Sequence, residues 1–185
     1  MPLYEIHHSC PLTTSQQHAL ATAITTLHCT TFSAPSAFVN TAFHGPSPAS
    51  PRIYVGGTPQ RTNYILGHLR PRPDNAAKQA HVVSALTRLW NELARPVDGV
   101  LGRVGEELGA GCTPKRGEGR LDDERALHNV FLMEDIVAGA EQGFALPVAG
   151  KDGEWAESNM REFERRAGDG DESMRGLVRE YEAKL

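Results

Sequence analysis

The sequence predicts an α+β fold in which two β-α-β units form a four-stranded mixed sheet with two helices on one face. An alternating segment, an amphipathic segment of helical periodicity and a second alternating segment follow one another within residues 2–44, and the order repeats within 62–133. A surface insertion is predicted over 96–126 and a helical C-terminal extension over 156–185. The main domain is therefore expected to cover 1–155 of the 185-residue chain.

The first unit is predicted to begin with a strand over 2–8, where apolar and polar residues alternate. A helix should start after Thr13, because Gln16 stands three residues later and the two can form a capping box. Its apolar stripe is predicted at Leu20, Ile24, Leu27 and Thr31. A second strand is expected over 37–44, followed by a loop rich in Pro, Ser and Gly over 45–59.

The second unit repeats this order, but different residues mark the ends of its elements. A strand is predicted over 62–69, and Asp74 is expected to cap a helix that Pro96 ends. The apolar arc of that helix is predicted at Ala76, Ala80, Val83, Leu86, Trp90 and Leu93. A fourth strand is expected over 127–133. In the C-terminal extension, the Gly-Asp-Gly sequence at 168–170 is predicted to separate two helices.

One layer of helices covers only one face of such a sheet. The other face is expected to expose apolar side chains, which soluble proteins normally bury. Packing of these faces around a symmetry axis is the expected solution, so the sequence favours a homo-oligomer.

Composition excludes several classes of protein. The formal net charge is −4 and the isoelectric point is about 6.1, so nucleic acid and anionic membranes are not expected partners. No apolar run reaches the roughly 20 residues of a membrane-spanning helix. The three cysteines are far apart without CxxC spacing, which favours reduced thiols and a cytoplasmic location. Because no ligand spacing or phosphate-binding glycine loop is found, neither metal nor organic cofactor is predicted.

The amino terminus offers a reactive group in addition to those of the side chains. Pro2 follows Met1 directly, and removal of Met1 would leave a secondary amine. An α-amino group titrates at about 7.7–8.0, close enough to neutrality to act as a base or an acid. Since Pro2 opens the first predicted strand, the amine would be held in a fixed position, as catalysis requires.

Several stretches together are typical of one known family. They are Pro2-Leu3-Tyr4, LTTSQQHALATAITTLH ending at His28, FVNTAFH, GHLRPR, and VFLMEDIVAGAEQGFALP followed by GEW at 153–155. In order and spacing they resemble the cis-3-chloroacrylic acid dehalogenase group of the tautomerase superfamily. The similarity covers most of 2–95 and 127–155. The resemblance implies a tautomerase-like domain over 1–155 and assembly as a trimer.

The resemblance also implies site residues. Pro2 matches the catalytic proline of the family, His28 the histidine of the first helix, and Glu141 a glutamate that can activate water. Arg70 matches the first of two arginines that bind the substrate carboxylate, a task suited to the planar guanidinium, and His28 could assist it.

This chain departs from the family pattern at two positions. Arg72 follows Arg70 by two residues rather than three, and Pro73 stands where the second arginine is expected. Arg72 is therefore either a replacement carboxylate ligand or a solvated loop charge. Phe131 takes the place of the family's tyrosine in the pocket, and it lacks the hydroxyl that would orient water. Efficient hydrolytic dehalogenation is less expected as a result.

Two functions remain open at this point. The first is a cofactor-independent enzyme in which Pro2 transfers a proton on a small unsaturated or 2-oxo carboxylic acid, giving tautomerisation, hydration or dehalogenation. The second is a scaffold or signalling protein that keeps the fold and has lost its catalysis. The sequence leaves the natural substrate and the removal of Met1 open.

Overall fold

The computed structural model describes residues 2–46, 53–96 and 120–183. Its elements in chain order are β1 (Leu3–His7), α1 (Thr14–Phe32), a 3-10 turn (Ser36–Phe38), β2 (Asn40–His44), β3 (Ile53–Val55), β4 (Thr58–Gln60), β5 (Tyr64–His68), α2 (Ala76–Leu89), a π-helical turn (Trp90–Ala94), β6 (Asn129–Met133), β7 (Ala140–Glu141), β8 (Phe144–Ala145), α3 (Asp152–Gly168) and α4 (Glu172–Glu182). No helix among these elements is long and apolar enough to cross a lipid bilayer.

The predicted four-stranded mixed sheet is confirmed. Its strand order is β2-β1-β5-β6, with β1 parallel to β2 and antiparallel to β5, and with β5 parallel to β6. Helices α1 and α2 pack against one face, where Tyr4, Ile6 and Ile65 are fully buried beneath them. Each parallel pair is joined through a helix, which is the β-α-β arrangement that the sequence periodicity indicated.

Helix α1 starts as predicted, but its buried face is shifted. The capping box is present: the Gln16 amide donates to Thr13 Oγ1 over 3.2 Å, and the Thr13 amide donates to Gln16 Oε1 over 3.1 Å. The predicted stripe included Leu27 and Thr31, which are only half-buried. A row with a strict spacing of four faces the core instead, made of Gln16, Leu20, Ile24, His28 and Phe32. Such a row is a packing ridge of an α-helix, and here it includes a histidine.

The predicted cap of α2 at Asp74 is wrong. Asp74 lies in the left-handed region at a φ of 53°, and the helix begins only at Ala76, after Asn75, without a side-chain cap. The predicted apolar arc is also shifted: Ala76 and Ala80 are exposed, and the buried positions are Val82, Ala85, Leu86, Trp90 and Ala94. The helix widens into a π-helical turn before Pro96, which ends it as expected.

Part of the predicted loop over 45–59 is a hairpin. Strands β3 and β4 pair in antiparallel fashion, joined by Gly56 and Gly57 at φ values of 57° and 78°. Two successive left-handed residues are the signature of a type I′ hairpin turn. The prediction missed it because the two strands are only three residues long each.

The predicted insertion over 96–126 lies mostly outside the described residues, and its described end belongs to the core. Arg125 is fully buried, and its guanidinium donates to the carbonyl oxygens of Ala94, Arg95 and Pro11. Asp123 is likewise buried and pairs with Arg95. The contacts to Ala94 and Arg95 satisfy carbonyl groups at the end of the α2 segment.

The C-terminal extension forms two helices, α3 and α4, separated at Gly170 as predicted. Helix α3 begins at Asp152, so the predicted domain boundary after Trp155 falls inside a helix. The two helices build a second core with the 3-10 turn and the β7–β8 hairpin. Its buried members are Phe38, Phe144, Ala156, Phe163, Met174 and Leu177.

The face of the sheet opposite the helices carries more polar groups than expected. Phe131 is 55% exposed there, but the centre of the face holds Glu5, flanked by His7, His44 and His68. The expectation of an apolar face is therefore only partly met. Burial alternates along β1 and β5 as predicted, but the open side of β1 carries an acidic residue and a histidine, Glu5 and His7.

Candidate functional site

A small cavity lies at the amino-terminal end of β1, beside the last turns of α1. It contains about 250 Å³ of space free of protein atoms, including its opening to solvent. Its lining residues come from the chain terminus, from α1 and from the segment after β5, and they are Pro2, His28, Phe32, Leu69, Arg70, Arg72 and Asn75. Four residues predicted from the sequence, Pro2, His28, Arg70 and Arg72, thus meet in one place.

Pro2 is held by the backbone of the sheet. It is buried, and its carbonyl oxygen accepts a hydrogen bond of 3.1 Å from the Asn40 amide at the start of β2. Because Pro2 has the same parity as Tyr4 and Ile6, it lies on the helix-facing side of β1. The nitrogen of residue 2 therefore lies at the edge of the interface between the sheet and α1, next to the C-terminal half of that helix.

His28 lies deep in the helix–sheet interface, as a member of the buried row of α1. It is only 5% exposed, and its Nδ1 lies 2.9 Å from the hydroxyl of Tyr4. Burial, reinforced by the positive charges of the amino terminus, Arg72 and Arg70, lowers the pKa of His28 to about 3. The imidazole is therefore neutral at physiological pH, and it serves the cavity as a hydrogen-bonding group rather than as a cation.

The room for Tyr4 depends on a glycine in the neighbouring strand. Gly67 pairs with Tyr4 across β1 and β5. A Cβ atom at residue 67 would lie 2.5 Å from Cδ2 of Leu132 and 3.1 Å from Cε1 of Tyr4. Gly67 therefore allows the Tyr4 ring to take the position from which its hydroxyl reaches His28.

Arg70 is tied into the protein rather than free in the cavity. It is 7% exposed as a residue; Nη1 donates to the Pro147 carbonyl oxygen over 2.7 Å, and Nη2 donates to Oδ1 of Asp152 in a short contact. Asp152 is also buried, at the first position of α3. Both terminal nitrogens of Arg70 are thus engaged within the chain.

Arg72 shares the same carboxylate but is more accessible. Its Nη2 lies 3.2 Å from Oδ2 of Asp152, and its guanidinium carbon lies 5.5 Å from the centre of the Phe32 ring. The Arg72 side chain is 17% exposed, against 6% for Arg70. Of the two arginines, Arg72 is thus the one whose position suits an external ligand, although its spacing departs from the family pattern.

Asp152 is the site residue that the sequence did not reveal. It lies 82 positions from Arg70 along the chain, in the Lys-Asp-Gly segment before the predicted tail. Acidic residues are common in the first turn of a helix, where they favour the helix dipole, so the sequence alone gives no sign of a second role. The structure shows that its two oxygens bridge the two arginines.

Glu141 lies near Pro2 through one intermediary. Asn40, whose amide holds the Pro2 carbonyl, donates its side-chain Nδ2 to Glu141 Oε1 over 2.7 Å. Glu141 is half-buried in the β7–β8 hairpin, and burial raises the pKa of its carboxyl group while the Asn40 hydrogen bond opposes that rise. A carboxyl group with a raised pKa is suited to proton transfer near neutrality.

The hairpin that carries Glu141 is fixed by the C-terminal extension. Its turn residues Gln142 and Gly143 both have positive φ. The Gln142 side chain donates a hydrogen bond to the Ala37 carbonyl oxygen. The Gln142 carbonyl oxygen accepts a hydrogen bond of 2.6 Å from Nη1 of Arg166 in α3. The extension therefore contributes to the site twice, through Asp152 and through this support of the Glu141 hairpin.

Phe131 does not line this cavity. It lies on β6 opposite Leu66, on the open face of the sheet, while its neighbours Val130 and Leu132 point to the core. Within a single chain, Phe131 and the Pro2 cavity are therefore on opposite sides of the sheet.

A second cluster of polar groups lies on the open face. The Nε2 atoms of His7 and His44 lie 3.3 and 2.9 Å from Glu5 Oε2, and the sequence predicted no metal-ligand spacing here. The two imidazole rings are stacked, with centroids 4.3 Å apart and planes within 13° of parallel. In-plane lone pairs of stacked rings do not converge on one ion at the usual distance of about 2 Å, so a metal would require the rings to turn.

Comparison with known proteins agrees with the resemblance found in the sequence. Residues 1–104 match the profile of the family described as "Putative oxalocrotonate tautomerase enzyme". No curated protein matches the chain significantly.

The described fold is similar to several solved structures. One is N1, a member of the cis-3-chloroacrylic acid dehalogenase (cis-CaaD) family, at 18% identity and a TM-score of 0.55, covering 90% of this chain and 99% of N1. MIF2 of Leishmania major matches at 14% identity and a TM-score of 0.48, covering 79% of this chain and 97% of MIF2. A fused 4-OT asymmetric trimer matches at 13% identity and a TM-score of 0.49, covering 77% of this chain and 94% of that chain. At these identities the likeness concerns the fold alone.

Proposed function

The chain belongs to the oxalocrotonate tautomerase family of the tautomerase superfamily, and from this membership we propose that it is a cofactor-independent enzyme acting on a small unsaturated or 2-oxo carboxylic acid. The reacting group is the secondary amine of Pro2 after removal of Met1. The observation that carries the proposal is the meeting of Pro2, His28 and Arg72 around one small cavity.

Tautomerisation needs one proton carrier and a way to hold the substrate. In an enolised 2-oxo acid, the hydroxyl oxygen loses a proton and the neighbouring carbon gains one, so atoms and charge balance without a cofactor. The Pro2 amine carries this proton. Because the backbone hydrogen bond from the Asn40 amide holds Pro2 in place, the amine loses little orientational entropy at the moment of reaction.

Arg72 and His28 bind the substrate and polarise its 2-oxo group. Arg72 attracts the substrate carboxylate, since its guanidinium is the more accessible of the pair. His28 is neutral, so it offers a hydrogen bond to the carbonyl or enol oxygen without adding charge. Both groups lie on the cavity wall that includes Pro2, which brings the substrate's 2-oxo end to the amine.

Hydration and dehalogenation would use Glu141 in addition. Its raised pKa and its hydrogen bond to Asn40 favour a role in activating water near Pro2. Position 131 supplies no hydroxyl to orient that water, because Phe131 lacks one and lies on the opposite side of the sheet within the chain. We therefore expect tautomerisation to be faster than dehalogenation.

The test is the turnover of an enolised aryl pyruvate and of cis-3-haloacrylate, followed by ultraviolet absorbance. The Pro2→Ala variant should lose at least about a hundredfold in rate, in the range by which positioned acid–base groups act. Pro59→Ala, which removes an exposed proline in β4, is the matched control and should keep the wild-type rate. Intact-mass measurement of each sample establishes that Met1 has been removed.

A scaffold or signalling protein is the alternative. The engagement of both arginines by Asp152 favours it, because the carboxylate site already has an internal occupant. Equal rates for wild type and Pro2→Ala on both substrates would support the scaffold and refute the enzyme. Assembly as a homo-oligomer remains part of the proposal, and the exposed Phe131 on the open sheet face supports it.

A further inference from the structure

We infer that Asp152 is a specificity-determining residue that restricts the cavity to ligands with one negative charge. The inference rests on the proposed function only in that it takes the cavity to be a carboxylate-binding site. Its basis is the position of the Asp152 carboxylate, which lies where the two arginines would otherwise hold a ligand carboxylate.

The contacts of Asp152 are those expected of a bound carboxylate. Oδ1 accepts from Arg70 and Oδ2 accepts from Arg72, so each oxygen has its own guanidinium. The side chain is 9% exposed, which leaves it little water to compensate for a lost partner. A carboxylate in this position strongly stabilises, and is stabilised by, both cations.

The charge count then decides what else can bind. Arg70 and Arg72 supply two positive charges and Asp152 removes one, while the low pKa of His28 keeps that ring neutral. With the Pro2 amine in its neutral, proton-accepting form, the group around the cavity thus retains a single positive charge, located mainly at Arg72. One external carboxylate then completes the balance, and a second would add a negative charge near the Asp152–arginine group without a cation of its own.

The position of Asp152 in the chain explains how this restriction arises. It is the first residue of α3, so the C-terminal extension places a fixed anion against the segment that follows β5. The adjoining helix contributes further burial there, since Tyr181 of α4 is close enough that Asp152 helps to raise the pKa of its hydroxyl, after burial itself. The extension thereby acts on the binding site through Arg70 and Arg72, the two lining residues that Asp152 contacts.

The experiment is calorimetric titration with propionate and with malonate, two unreactive acids of similar size, at about pH 9.5, where an α-amine is neutral. Wild type should bind propionate more tightly than malonate. Asp152→Asn keeps the shape of the side chain and raises the net charge of the group by one, so malonate affinity should increase at least tenfold and exceed that of propionate. Glu154→Gln makes the same charge change in the same helical turn, at a side chain that is 73% exposed, and should behave as wild type.

A second variant keeps the test decisive if Asp152→Asn is poorly folded. Arg72→Gln should lower propionate affinity at least tenfold although Arg70 is intact, because Arg70 is already occupied. Unchanged malonate affinity in a folded Asp152→Asn protein, a wild type that prefers malonate, or unchanged propionate binding in Arg72→Gln would each overturn the inference. These are binding measurements, so the inference can hold in a protein without turnover, and turnover can occur in a protein that fails them.

Discussion

The hydroxyl of Tyr4 lies 2.9 Å from Nδ1 of His28, and both residues are buried at the centre of the helix–sheet interface. This contact links the first strand to the first helix beside the cavity. It fixes the orientation of the imidazole ring, so that the other ring nitrogen is the one left to meet a ligand. The site is therefore prepared by packing before any substrate enters.

Tyr4→Phe should destabilise the protein, because it leaves a buried ring nitrogen of His28 without its partner. The expected loss in the free energy of unfolding is about 1–3 kcal/mol. Urea unfolding measures it, with Tyr54→Phe as the control, since the Tyr54 side chain is 57% exposed. Equal stability of the two variants would show that the hydrogen bond does not operate.

His28 should make the protein sensitive to acid. Its pKa in the folded state is about 3, against an ordinary value of 6.5, so below pH 6.5 the unfolded chain binds a proton that the folded chain does not. The free energy of unfolding should therefore fall as the pH drops from 6.5 towards 3, by up to about 1.4 kcal/mol per pH unit. His28→Gln should flatten this dependence. His18→Gln, at an exposed position of the same helix, should leave it as in wild type, and identical slopes for both variants would refute the assignment.

Asn40→Ala should raise the pKa of Glu141 further. Burial already raises it, and the Asn40 hydrogen bond is the contact that opposes the rise. Titration of the Glu141 side chain by carbon NMR measures the change, with Asn129→Ala on the edge strand β6 as the control. A pKa that stays unchanged or moves down in Asn40→Ala would contradict the described geometry.

Arg166→Gln should loosen the hairpin that carries Glu141. The variant removes the donor to the Gln142 carbonyl, while Arg165→Gln removes only surface pairs with Glu162 and Asp169. Amide hydrogen exchange in β7–β8 should become several-fold faster in the first variant and stay at the wild-type rate in the second. Equal exchange in both would mean that α3 does not support the hairpin.

The sheet, both helices and the break in the extension could be predicted because each depends on local patterns. The Thr13–Gln16 capping box and the glycine at 170 act within a few residues, and both are confirmed. The predicted Asp74 cap is wrong, because aspartate favours caps and left-handed turns alike. The short β3–β4 hairpin gave too few residues for an alternating pattern.

The candidate site was predicted in part through the family resemblance and not through local patterns. The resemblance identified His28 and Arg70 although they lie far apart in the sequence, and the structure brings them to one cavity with Pro2. Asp152 could not be found in this way, because its role arises only when α3 docks against the segment after β5. The depth of His28 likewise depends on how α1 rotates over the sheet.

The proposed chemistry depends above all on a free amine at residue 2. The most direct measurement is the nitrogen NMR signal of Pro2 in protein labelled with [¹⁵N]proline, followed across pH. The claim predicts a signal that shifts between about pH 5 and 10, as an α-amine titrates, and that shifts again when propionate binds. A Pro2 signal at an amide position, unaffected by pH and by propionate, would contradict it.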